Sequence, residues 1–442
     1  MLNDNKIGRS HKLKPREIYY CNHLDSQIFS YYANKINAEL KKVYDSNKLL
    51  NNSVIGYRKI KTNDSTKRGK CNIDFAFEVF DYIKEHKSQN ISVLCLDIEK
   101  FFDSIDPQIL KRSWVNLLNL KTLPDHHYAV FKAITRASYI DLEKLLKIHP
   151  YFDIKKLKYF KNSNKNSLFE KWDDLRKLND KYKIIHRYNG KLKKGIPQGT
   201  PISAALSNLY FLEVDIDLSN FVNTCNGIYR RYSDDILIVC ETKNLSKIKD
   251  YIHDAIEKKL NLKIQKTKTQ ESYLFRQTVD SKWNLETFHY RTHLKKSVIS
   301  YLGFDFDGEY IRVRNSSISN FYKKIRRRTH YARLSKKINK MSIKAKDEWI
   351  FRRSLFKSSS HLGVNLKKKR STSKRGNYIA YLYNAANRLP ETNRQKIISQ
   401  IRNHWKIIYK SIKENEEKYE LPKPPKPKMK RYKRYKTQIR GL

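Results

Sequence analysis

Two stretches decide how this chain folds: RRYSDDILIVC at residues 230–240 and ISVLCLD at residues 91–97. In the first, an apolar, β-branched run follows directly on two adjacent acids. It reads as two short strands around a polar turn, a hairpin with Asp234 and Asp235 at its tip. In the second, a nearly uninterrupted apolar run ends on Asp97 and reads as a buried strand. An isolated Asp-Asp pair is by itself an ordinary solvated turn. Here an apolar strand follows it, Tyr232 precedes it, and a second strand-end acid exists. Neighbouring strand positions face opposite sides of a sheet, so Asp234 and Asp235 are not equivalent, and alternation ranks Asp234 ahead of Asp235 as a metal ligand.

Around these stretches the charge is extreme. The 442 residues carry 93 Lys and Arg against 44 Asp and Glu, a formal net charge of +49. Such a field belongs with a polyanionic partner, above all nucleic acid. With 39% hydrophobic and 31% charged residues the chain can still bury a substantial core, which excludes wholesale disorder. The five cysteines (Cys21, Cys71, Cys95, Cys225, Cys240) form no CxxC pair and no zinc spacing. Cys95 and Cys240 sit in apolar runs as small core residues, and scattered thiols fit a reducing cytoplasm. No stretch approaches the length of a membrane span, and the N-terminus lacks the apolar core of a secretory signal.

Working outward, residues 16–48 and the segment IDFAFEVFDYIKEH (73–86) read as amphipathic helices, with a basic, turn-rich stretch between Tyr57 and Lys70. Asp106-Pro107 opens a helix, with Asp as N-cap and Pro as first helical residue. Residues 120–190 are lysine-rich and weakly periodic, and read as a surface insertion. The turn GIPQGTP (195–201) leads into the helix SAALSNLYFLEVDI. Past the hairpin come a helix (SKIKDYIHDAIEKKL), a strand (LKI, 262–264) and a turn-bounded strand pair (SYLGFDFDG). From Ser316 the pattern is helical. Between Lys323 and Lys346 lie 11 Lys or Arg and no acid, interleaved with apolar residues at helical spacing. From Leu421 the chain is basic, with PKPPKP, and reads as an extended arm.

The acids suggest a chemistry. Nucleotidyl transfer needs charge held at both the attacking and the leaving oxygen, which two Mg²⁺ ions about 3.5–4 Å apart supply. Two or three carboxylates at strand ends or a tight hairpin suffice to hold them, because Mg²⁺ takes oxygen ligands and keeps several waters. LDIEKFFDSID (96–106), GIPQGTPISAALSNLYF (195–211), YSDD (232–235), LKIQKTKT (262–269) and YLGFDF (301–306), in this order and spacing, resemble the successive palm motifs of reverse transcriptases. The resemblance spans roughly residues 16–310. It is nearest the bacterial group II intron- and retron-like enzymes, and YYCNHLDSQIFSYYA and VIGYRK with GKCNIDFAFEVF look most like their defence-associated (unknown group and abortive-infection) branch.

That resemblance implies an α+β right-hand polymerase fold: N-terminal helices and fingers over 1–95, a ferredoxin-like palm over 96–310 carrying the insertion at about 120–190, a basic helical thumb over 311–420 and a tail over 421–442. It makes Asp97, Asp234 and Asp235 the catalytic, metal-holding acids, joined by the Ile98 carbonyl, with two Mg²⁺ ions as cofactor and Mn²⁺ as an alternative ion. Phe102 matches the aromatic that excludes a ribose 2′-hydroxyl, a role that a rigid ring can fill sterically; one of Phe101 and Phe102 belongs to the core. Gln198 and Gly199 match the contact to the incoming nucleotide, Tyr232 the aromatic of that motif, and Arg58 the finger-loop arginine on the triphosphate, with Lys59 and Lys70 beside it. Lys266 matches the lysine that protonates leaving pyrophosphate, with Lys268 close enough to compete. Lys323, Lys324, Arg326, Arg327 and Arg328 would track a nucleic-acid backbone.

The implied activity is RNA-directed DNA synthesis: dNTPs added to a primer 3′-hydroxyl, copying a noncoding RNA encoded nearby in antiphage defence, with a DNA or RNA–DNA product. Phe102 disfavours RNA synthesis. Two other readings keep the fold: template-independent DNA synthesis by the same site, and an idle RNA-binding protein. The intact acid set argues against idleness, since clustered carboxylates are costly without a cation.

Overall fold

The structure, a computed structural model, describes residues 18–62, 69–141, 144–145, 148, 169, 171–188, 194–289, 292–296, 298–338, 355–360 and 377–417. The expected arm from Leu421 and most of the lysine-rich stretch between 142 and 170 lie outside these residues. Two compact units form, one from Met1–Lys70 and His86–Ser297, the other from Cys71–Glu85 and Val298–Leu442.

The first unit is built on a six-stranded antiparallel sheet. Its strands are β1 (Asn90–Asp97), β4 (Ile228–Tyr232), β5 (Asp235–Glu241), β6 (Gln270–Phe275), β7 (Asn284–His289) and β8 (Thr292–Lys296). A separate small pair, β2 (Ser138–Ile140) with β3 (Ile185–Arg187), precedes β4 in the chain. In the large sheet the order is β4-β5-β1-β6-β7-β8. The chain runs from β1 through the helix Ser203–Thr224 to the β4–β5 hairpin, and through the helix Leu245–His253 to β6. This is a β-α-β-β-α-β path with the first strand in the middle, the ferredoxin-like arrangement.

Both faces of β1 follow from its alternation. Leu94 and Leu96 pair with Ile238 and Ile236 across β5, and these with Tyr229 and Arg231 across β4. That face is covered by helices. The helix Ser203–Thr224 buries Leu206, Leu209, Phe211, Val214 and Leu218, residues spread around its axis, and accordingly sits inside the core. The helix His23–Ser46 buries Phe29, Tyr32, Ile36, Leu40 and Tyr44 at three- and four-residue spacing, and Asn22 caps it by accepting from Asp25 N–H (2.8 Å). Asp106 caps the helix Pro107–Leu117 through Gln108 N–H (2.9 Å), as its sequence predicts.

Three elements differ from the sequence reading. The stretch 262–264 forms only one isolated bridge, Ile98 with Ile264; the strand itself is β6, six residues on. The hairpin β7–β8 was not legible, because ETFHYRTHLKK mixes charges with few apolar residues. Within 120–190, the helix Asp125–Thr135 belongs to the main core rather than to a surface insertion. It buries His127, Val130, Phe131 and Ile134, a spacing that fits one helical stripe, and Trp114 packs against that stripe.

The second unit holds the helix Asn72–Glu85 and a three-stranded sheet of β9 (Ile299–Tyr301), β10 (Phe304–Phe306) and β11 (Ile311–Val313). YLGFDF is the β9–β10 hairpin, and its two turn residues Leu302 and Gly303 have φ of 44° and 93°. Phe77 packs edge-on against Phe304 and Phe80 stacks on Phe306. The edge strand β11 is closed by side chains of the helix Glu391–Ile401: Asn393 accepts from Ile311 N–H (2.9 Å), and Gln400 both accepts from and donates to Val313. The basic helix Asn315–Ile338 buries Ile325 against Ile408 and Ile412 of the helix His404–Glu417.

Candidate active site

The hairpin tip is a two-residue turn. Tyr232 pairs with Asp235, leaving Ser233 and Asp234 between them, with Ser233 at φ +61°. Register then brings the acids together. Asp235 lies directly opposite Asp97, so Tyr232, Asp235 and Asp97 form a row across three strands. Directly opposed residues share a face. This row therefore lies on the face of β1 away from the one that carries Leu94 and Leu96. The residue facing Asp97 is Asp235, whereas alternation had ranked Asp234 first; Asp234 sits half-buried in the turn, where strand alternation no longer governs direction.

Beneath the tip lies a charged pair with no exposure. Arg231 and Asp215 are each 0% exposed, joined by Nε to Oδ1 at 2.7 Å and Nη2 to Oδ2 at 2.5 Å. Arg231 Nη1 donates to the Ser233 carbonyl (3.1 Å), and Tyr229 donates to the same carboxylate at 2.7 Å. Burial works against the Arg231 charge, but the adjacent carboxylate more than offsets it and its pKa rises; burial and Asp215 hold the Tyr229 phenol well above its ordinary range. Motif spacing alone passes over Arg231. The signal was available: alternation puts this one charge on the apolar, helix-covered face of β4.

Beside the acid row, Lys268 is ion-paired to Asp97 Oδ2. Lys266 instead lines a cavity with Leu94, Leu96, Ile252 and Ile264, on the helix-covered side. Of the two lysines, Lys268 is the one at the acids. Asp97 carbonyl accepts from Gln265 N–H (2.7 Å), and Glu99 N–H donates to the Lys263 carbonyl (2.8 Å). Backbone groups alternate along a strand, so the Ile98 carbonyl points the other way, toward β5 and the hairpin.

Phe101 is core at 3% exposure, while Phe102 is half-buried at its edge. The Phe102 carbonyl accepts from Ile196 N–H (2.8 Å) and the Ile105 carbonyl from Gly195 N–H (2.7 Å), which ties the GIPQG turn to the segment after Asp97. Gly199 has φ +109°, and a Cβ there would lie 2.7 Å from Ile18 Cγ2 and 2.9 Å from the Tyr19 carbonyl. The backbone brought close to Gly199 is thus the N-terminal segment, whose Tyr19 N–H donates to the Gln198 carbonyl (2.9 Å). Arg58 is committed to internal acceptors: the carbonyls of Asn51 (3.0 Å) and Val54 (2.6 Å), the Asn51 side chain, and the Tyr44 ring at 3.7 Å. Burial lowers its pKa and pushes the Tyr44 phenol up to about 12. Lys70 closes a loop by donating its N–H to the Ile60 carbonyl (2.7 Å), and Lys59 is exposed.

In the second unit, Lys323, Lys324, Arg326, Arg327 and Arg328 are all exposed, while Ile325 and Thr329 between them are buried. The basic run is the solvent face of a packed helix. Trp405 and Tyr322 join the apolar cluster against it; the side chain of Tyr331 lies outside the described residues.

Asp97, Asp235, Asp234 and the Ile98 carbonyl offer only oxygen donors, which fits a hard cation such as Mg²⁺ or Mn²⁺. Among the described residues no three His, Cys, Asp or Glu side chains gather closely enough to hold a metal ion as they stand. No helix among them is long and apolar enough to cross a membrane.

Comparison with solved structures finds telomerases. Apo telomerase from Candida tropicalis is 13% identical over 89% of this chain and 52% of that one, with a TM-score of 0.40. Telomerase from Candida albicans, in complex with a fragment of telomeric RNA, is 12% identical over 89% and 55%, with a TM-score of 0.37. The chain thus spans about half the length of these proteins. No curated protein matches by sequence. The profile of the family described as reverse transcriptase (RNA-dependent DNA polymerase) matches residues 26–306, which hold the ferredoxin-like sheet, the acid row and the β9–β10 hairpin. The chain belongs to the reverse transcriptase family, with its right-hand polymerase fold of mixed helix and sheet.

Proposed function

We propose that the protein is an RNA-directed DNA polymerase that adds dNTPs to a primer 3′-hydroxyl at the Asp97–Asp234–Asp235 site. The observation that carries this reading is the row Tyr232–Asp235–Asp97 at the hairpin end of a ferredoxin-like sheet, in a chain of this family. Two divalent cations, when bound, supply the positive charge that the attacking and leaving oxygens need. The chain's own part is to hold ligands. Asp97 and Asp235 stand side by side, Asp234 closes the set by turning on an accessible tip, and the Ile98 carbonyl faces them. The Arg231–Asp215 pair fixes the turn from below through the Ser233 carbonyl. Lys268 covers the Asp97 charge until a cation takes its place, and then stands within reach of the leaving pyrophosphate. Phe102, tied to the GIPQG turn, limits the pocket at the sugar. The exposed run Lys323–Arg328 neutralises template phosphates.

The substrate we infer is a noncoding RNA encoded nearby, copied in defence against phage; the motifs over residues 19–33 and 54–80 support that branch. The protein is incubated with an RNA template, a DNA primer, Mg²⁺ and dNTPs. Wild type extends the primer, while Asp97→Asn and Asp234→Asn abolish extension and leave RNA binding nearly intact. Extension by either variant at the wild-type rate refutes the acid assignment. Extension without template indicates synthesis by the same site without copying. Sequencing the nucleic acids that copurify tests the partner: one RNA and its complementary DNA are expected, and random host RNA refutes it.

A further inference from the structure

Tyr57 carries two features that fold stability alone does not favour. Its φ is +60°, a left-handed backbone that a bulky side chain seldom adopts. Its ring is also 47% exposed. The chain around it is firmly placed. Val54 bridges Arg231 in the parallel sense, Ile55 and Gly56 N–H both donate to the Arg231 carbonyl (3.0 and 3.3 Å), and Asn208 donates to the Gly56 carbonyl (3.0 Å). Gly56 presses so closely on the hairpin that a Cβ there would lie 2.6 Å from the Ser233 nitrogen. The segment therefore reaches the turn and leaves it at Tyr57. The Tyr57 hydroxyl stands 3.3 Å from Ser233 Oγ, and its ring centroid is 6.4 Å from that of Tyr232, with the planes at 41°.

Glycine or asparagine would take this backbone with less strain. A strained conformation that its surroundings over-determine, beside a candidate catalytic turn, points to use. Other exposed aromatics, such as Tyr20 and Tyr409, have no such backbone. We propose that the Tyr57 ring is a stacking platform for a nucleobase of the primer–template, set beside the Tyr232–Asp235–Asp97 row. Stacking on an aromatic is indifferent to base identity, because every base offers a π-face, which suits a polymerase that must accept any sequence. The inference rests on the polymerase reading and adds to it a nucleic-acid contact from outside the hairpin.

The test uses an RNA oligonucleotide annealed to a shorter fluorescent DNA primer, with Kd read by anisotropy in the absence of dNTPs, and Tm read in parallel. Tyr57→Gly removes the ring and relieves the backbone. It should raise Kd roughly fivefold or more, the loss of one stacked base, while Tyr57→Phe stays within about twofold of wild type. The Tm of Tyr57→Gly should equal or exceed that of wild type. Unchanged Kd in Tyr57→Gly overturns the proposal. So does a fall in its Tm, which makes the ring a prop for the hairpin, or a loss in Tyr57→Phe as large as in Tyr57→Gly, which assigns the effect to the Ser233 contact. If wild type extends primers and Tyr57→Gly binds normally, only the platform fails. If wild type binds the duplex but adds no nucleotide, the polymerase reading fails, and the Kd series still decides the platform.

Discussion

Phe102 and Arg231 differ in how the fold holds them. Phe102 is half-buried at the edge of the core and hydrogen-bonded through its backbone to the GIPQG turn, so its ring has fixed support and one open side. A rigid ring at a sugar pocket rejects an added oxygen by sterics. Phe102→Val and Phe102→Ala should therefore raise rNTP incorporation relative to dNTP, measured as the ratio of kcat/KM values. An unchanged ratio would move the steric role elsewhere. Arg231 touches no substrate in this arrangement. It is buried with Asp215 and holds the Ser233 carbonyl, so Arg231→Met leaves a buried carboxylate without its partner. The expected cost is about 3–5 kcal/mol of stability. Urea or thermal unfolding of the full chain checks it, and a variant as stable as wild type would mean that Asp215 finds other compensation.

At the scale of elements, the short 3₁₀ turn Lys266–Lys268 sorts two lysines onto opposite faces of the sheet. Two residues apart in a turn of three per revolution, their side chains diverge, so Lys268 meets Asp97 while Lys266 lines the cavity with Leu94 and Leu96. Positioned proton donors contribute roughly 10²–10⁴-fold to a rate. If Lys268 is that donor, Lys268→Ala lowers kcat by about tenfold or more with little change in KM, and Lys266→Ala leaves kcat near wild type. Single-turnover kinetics distinguishes the two, and the reverse outcome would restore Lys266 to the role its motif suggests. Motif spacing could name both lysines. Only the turn geometry separates them.

Across the whole molecule the dominant property is its charge of +49, and the second unit shows how one part of it is displayed. Lys323, Lys324 and Arg326–Arg328 stand on the solvent face of a helix whose opposite side, at Ile325 and Thr329, is locked to the helix His404–Glu417. If that face tracks a duplex, each phosphate contact releases condensed counterions and adds about 0.7–0.9 to the slope of log affinity against log salt. Replacing Arg326, Arg327 and Arg328 together by Gln should flatten the slope by roughly two to three units. Folding should change little, because exposed charges contribute little to stability. Titrations of labelled RNA at several salt concentrations give the answer; parallel lines for wild type and variant mean that the charges serve only solubility.

The sequence by itself determined the elements that local pattern can encode. Apolar runs bounded by turns fixed β1, the β4–β5 hairpin and the β9–β10 hairpin. Asp106-Pro107 fixed a helix start, and three- and four-residue spacing fixed the helices His23–Ser46 and Asn72–Glu85. The ordered motifs named the family, because each is short, contiguous and rich in residues that backbone geometry demands. What the tertiary structure decided depends on register and on contacts between distant segments. Strand pairing made Asp235 the acid that faces Asp97, since opposition across a sheet cannot be read within one strand. Long-range packing turned Gly199 toward the backbone of Tyr19, and bound Arg58 to Asn51, Val54 and Tyr44. Burial of Asp215 opposite Arg231 joined charges 16 residues apart. Their attraction depends on removal from water, which only the folded chain brings about.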